Sequence, residues 1–122
     1  YAWSLAQDKD SPVRGKVRVA PLPAGASGRG VSTLGGWQLA VSRYSEHPEI
    51  AADLVRYLTS AGEQKRRALR GSFNPTRPAL YRDEEILSAA PFFADLVDIM
   101  RTAVPRPTAT TGRKYNQVSH AF

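Results

Sequence analysis

The chain has 122 residues, 42% of them apolar and 23% charged, with a formal net charge of +6; this is at most one domain with an ordinary globular balance. No apolar run approaches the roughly 18 residues needed to span a bilayer. The lack of cysteine excludes disulfides, thiolate nucleophiles and thiolate metal sites. Taken in order, Tyr1-Ala-Trp opens directly into polar sequence, unlike a signal peptide, and Tyr1 is expected to be a cut end. Residues 16–22, Lys-Val-Arg-Val-Ala-Pro-Leu, begin with polar-apolar alternation and predict a strand that Pro21 and Pro23 end. The glycine-rich stretch 24–30 is a connection and not a phosphate cradle, since no Gly-Lys-Ser/Thr follows. A second strand is expected over 37–41, with Trp37, Leu39 and Val41 on one face, after a bulge or a close backbone approach at Gly35-Gly36.

From residue 47 the pattern turns helical. His47 or Ser45 can cap, Pro48 suits the first position, and Ile50, Leu54 and Leu58 with Ala51 and Val55 form an apolar stripe. Ser60-Ala-Gly-Glu63 reads as a capping box opening a helix that Gly71 can close. An irregular loop over 72–78 precedes a short helix at 83–89. A longer helix then starts at Pro91, with Phe93, Leu96, Val97 and Met100 facing one way until Pro105 and Pro107 stop it. From Gly112 a last helix opens, with Tyr115, Val118 and Phe122 at i, i+3 and i+7, and it is expected to be incomplete.

Catalytic equipment is missing from this pattern. His47 and His120 have no neighbours that suggest a triad or a metal site. Asp83-Glu84-Glu85 complements a helix start, with no second acidic cluster to converge on it. No enzyme, no metal and no cofactor are expected. The one basic cluster is Lys65-Arg66-Arg67 with Arg70. On a helix, 66 and 70 share a face while 65 and 67 point elsewhere, so the plain reading is a solvated helix surface. The alternative function is a stand-alone basic module binding nucleic acid or an acidic protein, with steep salt dependence. Trp37 after two glycines offers an aromatic face with close access to main chain, as sugar binding requires, although such an aromatic taken alone reads first as a core residue.

Several segments, in order, resemble the family 1 extracellular solute-binding proteins, and most closely the maltose- and trehalose-binding members. They are Tyr1-Ala-Trp-Ser4, Lys16–Pro23, Gly30-Val-Ser-Thr-Leu-Gly-Gly-Trp-Gln-Leu-Ala-Val-Ser42, His47–Thr59, Glu63-Gln-Lys-Arg-Arg67, and Arg106-Pro-Thr with Tyr115-Asn-Gln-Val-Ser119. The resemblance implies an α/β, periplasmic-binding-protein-like fold, with residues 1–122 as a partial carboxy-terminal lobe of few strands and four to five helices. It implies non-catalytic binding of an oligosaccharide for an ABC transporter permease, in the periplasm or outside the cell, through a protein held to the membrane by a lipid anchor. The missing amino-terminal lobe would then be a partner. The resemblance further implies an aromatic stacking on sugar at Tyr1 or Trp3, a cleft lined by Leu34, Gly35, Gly36 and Trp37, and polar or aromatic contacts from Arg113 and Tyr115. A partial sheet with open strand edges is expected to pair with a second copy, as a homodimer.

Overall fold

A computed structural model describes residues 2–26, 28 and 30–121. Helices dominate it: α1 (Ala2–Ala6), α2 (Pro48–Leu58), α3 (Ala61–Gly71), α4 (Glu84–Ala89), α5 (Phe93–Thr102), α6 (Thr108–Thr111) and α7 (Tyr115–Ala121). Two 3₁₀ turns, Pro78–Arg82 and Gly112–Lys114, lie between them. The five helices expected from periodicity are α2, α3, α4, α5 and α7, whereas α1 and α6 are short additions.

The strands are where expectation and structure part. Residues 16–22 and 37–41 form no strand. The described strands are β1 (Thr33–Leu34) and β2 (Val104–Pro105), paired in parallel with Thr33 opposite Val104 and Leu34 opposite Pro105. Alternation is only half of what a strand needs, because its backbone groups must also find a neighbouring chain. Thr33–Leu34 has one, and the Val104 N–H donates to the Ser32 carbonyl at 2.9 Å. Pro105 has no N–H to give, which shortens the ladder at once. The glycine-rich loop packs tightly against its own approach. A β-carbon placed on Gly30 would lie 2.1 Å from the Leu22 carbonyl oxygen, so only glycine fits there.

Helix boundaries follow local chemistry. Pro48 opens α2 behind His47, whose side chain makes no cap bond, and the Ser45 hydroxyl accepts from the His47 N–H instead. The Ser60 hydroxyl accepts from the Glu63 N–H and starts α3, which is half of the expected capping box; the Ser60 N–H donates to the Tyr57 carbonyl, and the Glu63 carboxylate turns to Arg66 instead. The far end differs from expectation: Gly71 remains helical and Ser72 takes the left-handed position at φ 53°. The exposed Phe73 ring folds back over Gly71, where a β-carbon would meet it at 2.6 Å and push the ring aside. Asp83 caps α4, its carboxylate accepting from the Glu85 and Ile86 N–H groups.

The core is compact and sits in the second half of the chain. Ala68, Leu80, Tyr81, Ile86, Ala90 and Phe93 are buried, with Trp3, Leu69, Leu87, Phe92, Leu96, Val97 and Met100 packed around them. The predicted α5 face of Phe93, Leu96, Val97 and Met100 is therefore the face that turns inward. Tyr81 donates its hydroxyl to the Pro75 carbonyl at 2.7 Å, and burial pushes its pKa up to about 12. The α2 stripe behaves differently. Ile50 and Leu54 are more than half exposed and no α2 residue is buried.

Candidate ligand-binding site

The β1–β2 pair brings two distant stretches of chain together. Leu34 aligned with Pro105 places the next residues, Gly35 and Arg106, side by side. The Arg106 guanidinium lies over Gly35, with Nε 3.7 Å from the position a β-carbon would occupy. Its Nη1 donates to the Tyr115 hydroxyl oxygen at 3.5 Å, at the long limit of a hydrogen bond. Gly35, Arg106 and Tyr115 thus meet, with Leu34 46% exposed beside them and Gly36 facing open space. Two positions along the loop, Trp37 is fully exposed at 101%. The meeting offers a fork of donors and a phenol beside accessible main chain, and the exposed indole two residues on adds a flat apolar face.

The remaining expected residues fall elsewhere. Trp3 is half-buried, its ring 5.3 Å from that of Phe92, and it lines an open cleft of about 420 Å³ with Gln7, Val17, Arg18, Val19 and Asp95. Neither Trp37 nor Tyr115 lines that cleft. Tyr1 lies outside the described residues. Arg113 is exposed in the 3₁₀ turn before α7 and makes no described hydrogen bond or ion pair. The guanidinium that reaches the glycine loop belongs instead to Arg106, which sequence reasoning did not single out. Its signal was positional: Arg106 stands between two prolines, where chain direction is restricted, but only the pairing with β1 shows what it faces.

The basic cluster is spent internally. Lys65 pairs with Asp83 at 2.9 Å and with Glu85 at 2.8 Å. Those hydrogen bonds hold the lysine above and Asp83 below their ordinary ranges. Arg66 grips the buried Glu63 carboxylate through two bonds of 2.7 Å, and Arg67 approaches the same group at 3.7 Å. The hydrogen bond from Arg66 holds Glu63 below the usual carboxylate range. Three of the four cations expected to face solvent are thus engaged by carboxylates, which removes the dense positive stripe a nucleic-acid site needs. Among the described residues no group of three or more His, Cys, Asp or Glu could hold a metal ion.

Comparison with known proteins supplies the context for this surface. Residues 1–65 match the family of bacterial extracellular solute-binding proteins. A Deinococcus radiodurans protein carrying the description "Probable ABC transporter-binding protein" is 57% identical over all 122 residues, which make up 29% of its length. The solved structure of maltose-bound T. maritima MalE3 superimposes with a TM-score of 0.84 at 43% identity, covering 98% of this chain and 30% of that one. The chain therefore spans about three-tenths of the length of these relatives.

Proposed function

This chain belongs to the bacterial extracellular solute-binding protein family, and we propose that it contributes one wall of the sugar site in a non-catalytic binding protein of an ABC transporter. In this reading the protein works in the periplasm or outside the cell and hands its ligand to a membrane permease. The Deinococcus relative's description supports the transporter role, and the likeness to a maltose-bound protein supports a maltose- or trehalose-like sugar. The observation that carries the reading is the meeting of Gly35, Arg106 and Tyr115 next to the fully exposed Trp37.

The chemistry of that surface suits a pyranose. The indole offers its face to the sugar's C–H side, and the Arg106 fork is placed to donate to neighbouring hydroxyls. Because the Tyr115 oxygen already accepts from Arg106, its own O–H is free to donate to a ligand. Leu34–Trp37 adds accessible main chain. No bond is made or broken in such a site. Sugar binds one wall, and the rest of the longer protein closes over it. Residues 1–122 are, on this reading, part of the carboxy-terminal lobe, and the opposing wall comes from the amino-terminal lobe outside them.

With one wall present, affinity for maltose is expected in the millimolar range, equivalent to about −4 kcal/mol. The test is a maltose titration followed by the two indole N–H signals in a ¹⁵N-labelled sample. The Trp37 signal should move while that of Trp3, packed on Phe92, stays. Micromolar affinity by calorimetry would contradict the one-wall picture, and a Trp37 signal unmoved by either maltose or trehalose would overturn the site.

A further inference from the structure

Arg106 and Tyr115 stand at the two ends of a loop that closes on itself. The Arg106 carbonyl accepts from the Thr108 N–H at 2.8 Å, the Thr108 carbonyl from the Gly112 N–H, and the Gly112 carbonyl from the Tyr115 N–H. Arg106 Nη1 completes the circuit by donating to the Tyr115 hydroxyl at 3.5 Å. The Pro107 carbonyl ties the stretch internally, accepting from the N–H and the hydroxyl of Thr111 at 2.9 and 2.7 Å. No described residue beyond Phe93 is buried, so the loop takes its shape from these bonds and its own backbone, with little help from the core.

One joint in that loop differs from the rest. Gly112 ends α6 and begins the 3₁₀ turn with φ 50° and ψ −128°, the mirror image of ordinary extended chain. Glycine enters that region freely, whereas an L-residue with a β-carbon is strained there. Among the described residues from 73 to 121, no other has a positive φ. Thr111 before it and Tyr115 after it are both right-handed helical, so the change of direction between α6 and α7 falls on Gly112. A β-carbon at Gly112 would meet nothing within 4 Å. Conformation and not space is what calls for glycine. We propose that Gly112 is a positioning residue of the ligand site, its left-handed backbone turning α7 back so that the Tyr115 hydroxyl meets Arg106 and presents its O–H to the ligand.

An alanine at this position has two ways to respond. It can hold φ near 50° and bear the strain, or return to negative φ and swing the start of α7 away. The contact that would have to resist the swing is one hydrogen bond already at its long limit. Strain of this kind outweighs what such a bond returns, so the loop moves and the Tyr115 hydroxyl leaves Arg106. The core ends at Phe93 and has no share in the change. Binding is therefore lost without loss of stability, the reverse of what a merely structural glycine would show. The ligand in this account rests on the sugar reading above, whereas the Arg106–Tyr115 contact can be followed without any ligand.

The experiment reads two signals in the ¹⁵N-labelled 122-residue chain: the Arg106 Nε–H without ligand, and the Trp37 indole during a maltose titration. Gly112→Ala and Tyr115→Phe should displace the Arg106 signal alike and each weaken maltose binding about fivefold, as loss of one hydrogen bond does. Combined, they should weaken it no further than either alone, because both remove the same contact. The urea midpoint of Gly112→Ala should match the wild type. D-alanine at 112, introduced by ligating a synthetic carboxy-terminal peptide, finds this backbone ordinary extended chain and should restore both signals. Gly15→Ala, at another left-handed glycine (φ 73°) with open space around it, should bind maltose as the wild type does. An Arg106 signal unmoved by Gly112→Ala, equal losses from the two hands of alanine or from Gly15→Ala, or additive effects with Tyr115→Phe would each overturn the assignment. So would retained binding with a lowered midpoint, since the loop would then bear the strain in place. Maltose leaving Trp37 unmoved in the wild type removes the sugar reading, and the Arg106 signal then decides the role of Gly112 by itself.

Discussion

Trp37 carries a large apolar side chain and leaves all of it in water. A face of that kind invites a covering group, either a sugar's C–H face or another chain. Arg106 meets the same loop two residues earlier and is fixed by geometry, since the strand pair that aligns Leu34 with Pro105 leaves its guanidinium against Gly35 and within reach of Tyr115. Arg113, eight residues past the β2 end in the turn Gly112–Lys114, faces solvent. The two arginines therefore make opposite predictions. Arg106→Ala should weaken maltose binding about tenfold, corresponding to loss of about 1.4 kcal/mol from a hydrogen bond with a charged donor. Arg113→Ala should leave it unchanged, both measured by the same indole titration. Equal effects from the two variants would count against the assignment. Both arginines stand in the same stretch of sequence, and nothing in their spacing distinguishes them. The distinction arises from contact with a residue some seventy positions earlier in the chain.

At the scale of elements, α3 and α4 are joined by charge as well as by packing. Lys65 on α3 reaches Asp83 and Glu85 at the start of α4, and Asp83 also accepts the α4 cap bonds. Because the native state depresses the Asp83 pKa, its contribution is present above the ordinary carboxylate value and is lost as pH falls through the depressed one. Lys65 has the opposite sign. Its raised pKa gives a contribution that persists below the ordinary lysine value and is lost only as pH rises through the raised one. Thermal unfolding should therefore become easier as pH falls below about 4. Asp83→Asn, which keeps a capping side chain but cannot ionise, should show a shallower decline over that range. A decline as steep as that of the wild type would place the acid sensitivity elsewhere, with Glu63 the next group to test. The Ser60 and Asp83 caps and the inward face of α5 were legible in the sequence, since each depends on residues within a turn of one another. The left-handed Ser72 and the pairing of β1 with β2 were not, because both are set by what the chain packs against.

Across the chain as a whole, the described residues place six buried hydrophobic side chains in one small core, drawn from α3, the first 3₁₀ turn, α4, the α4–α5 turn and α5. Phe93, 0% exposed, touches both Tyr81 and Phe92 through its ring. Phe93→Ala should cost about 3 to 5 kcal/mol, a large part of the 5 to 15 kcal/mol typical of a domain. The expected result is loss of a cooperative urea transition, or its shift to a much lower midpoint. A midpoint within error of the wild type would show that the stabilising contacts lie outside this core. Composition and periodicity were sufficient for the helical half, where apolar residues three and four apart necessarily share a face and local caps set the ends. The order of segments was sufficient for the family, because it does not depend on which contacts form. Whether 16–22 and 37–41 are strands, which arginine meets the glycine loop, and that Trp37 stands in water were decided in three dimensions. Those outcomes depend on neighbours distant in sequence: a strand exists only when another chain accepts its hydrogen bonds, and a side chain is buried only when something arrives to cover it.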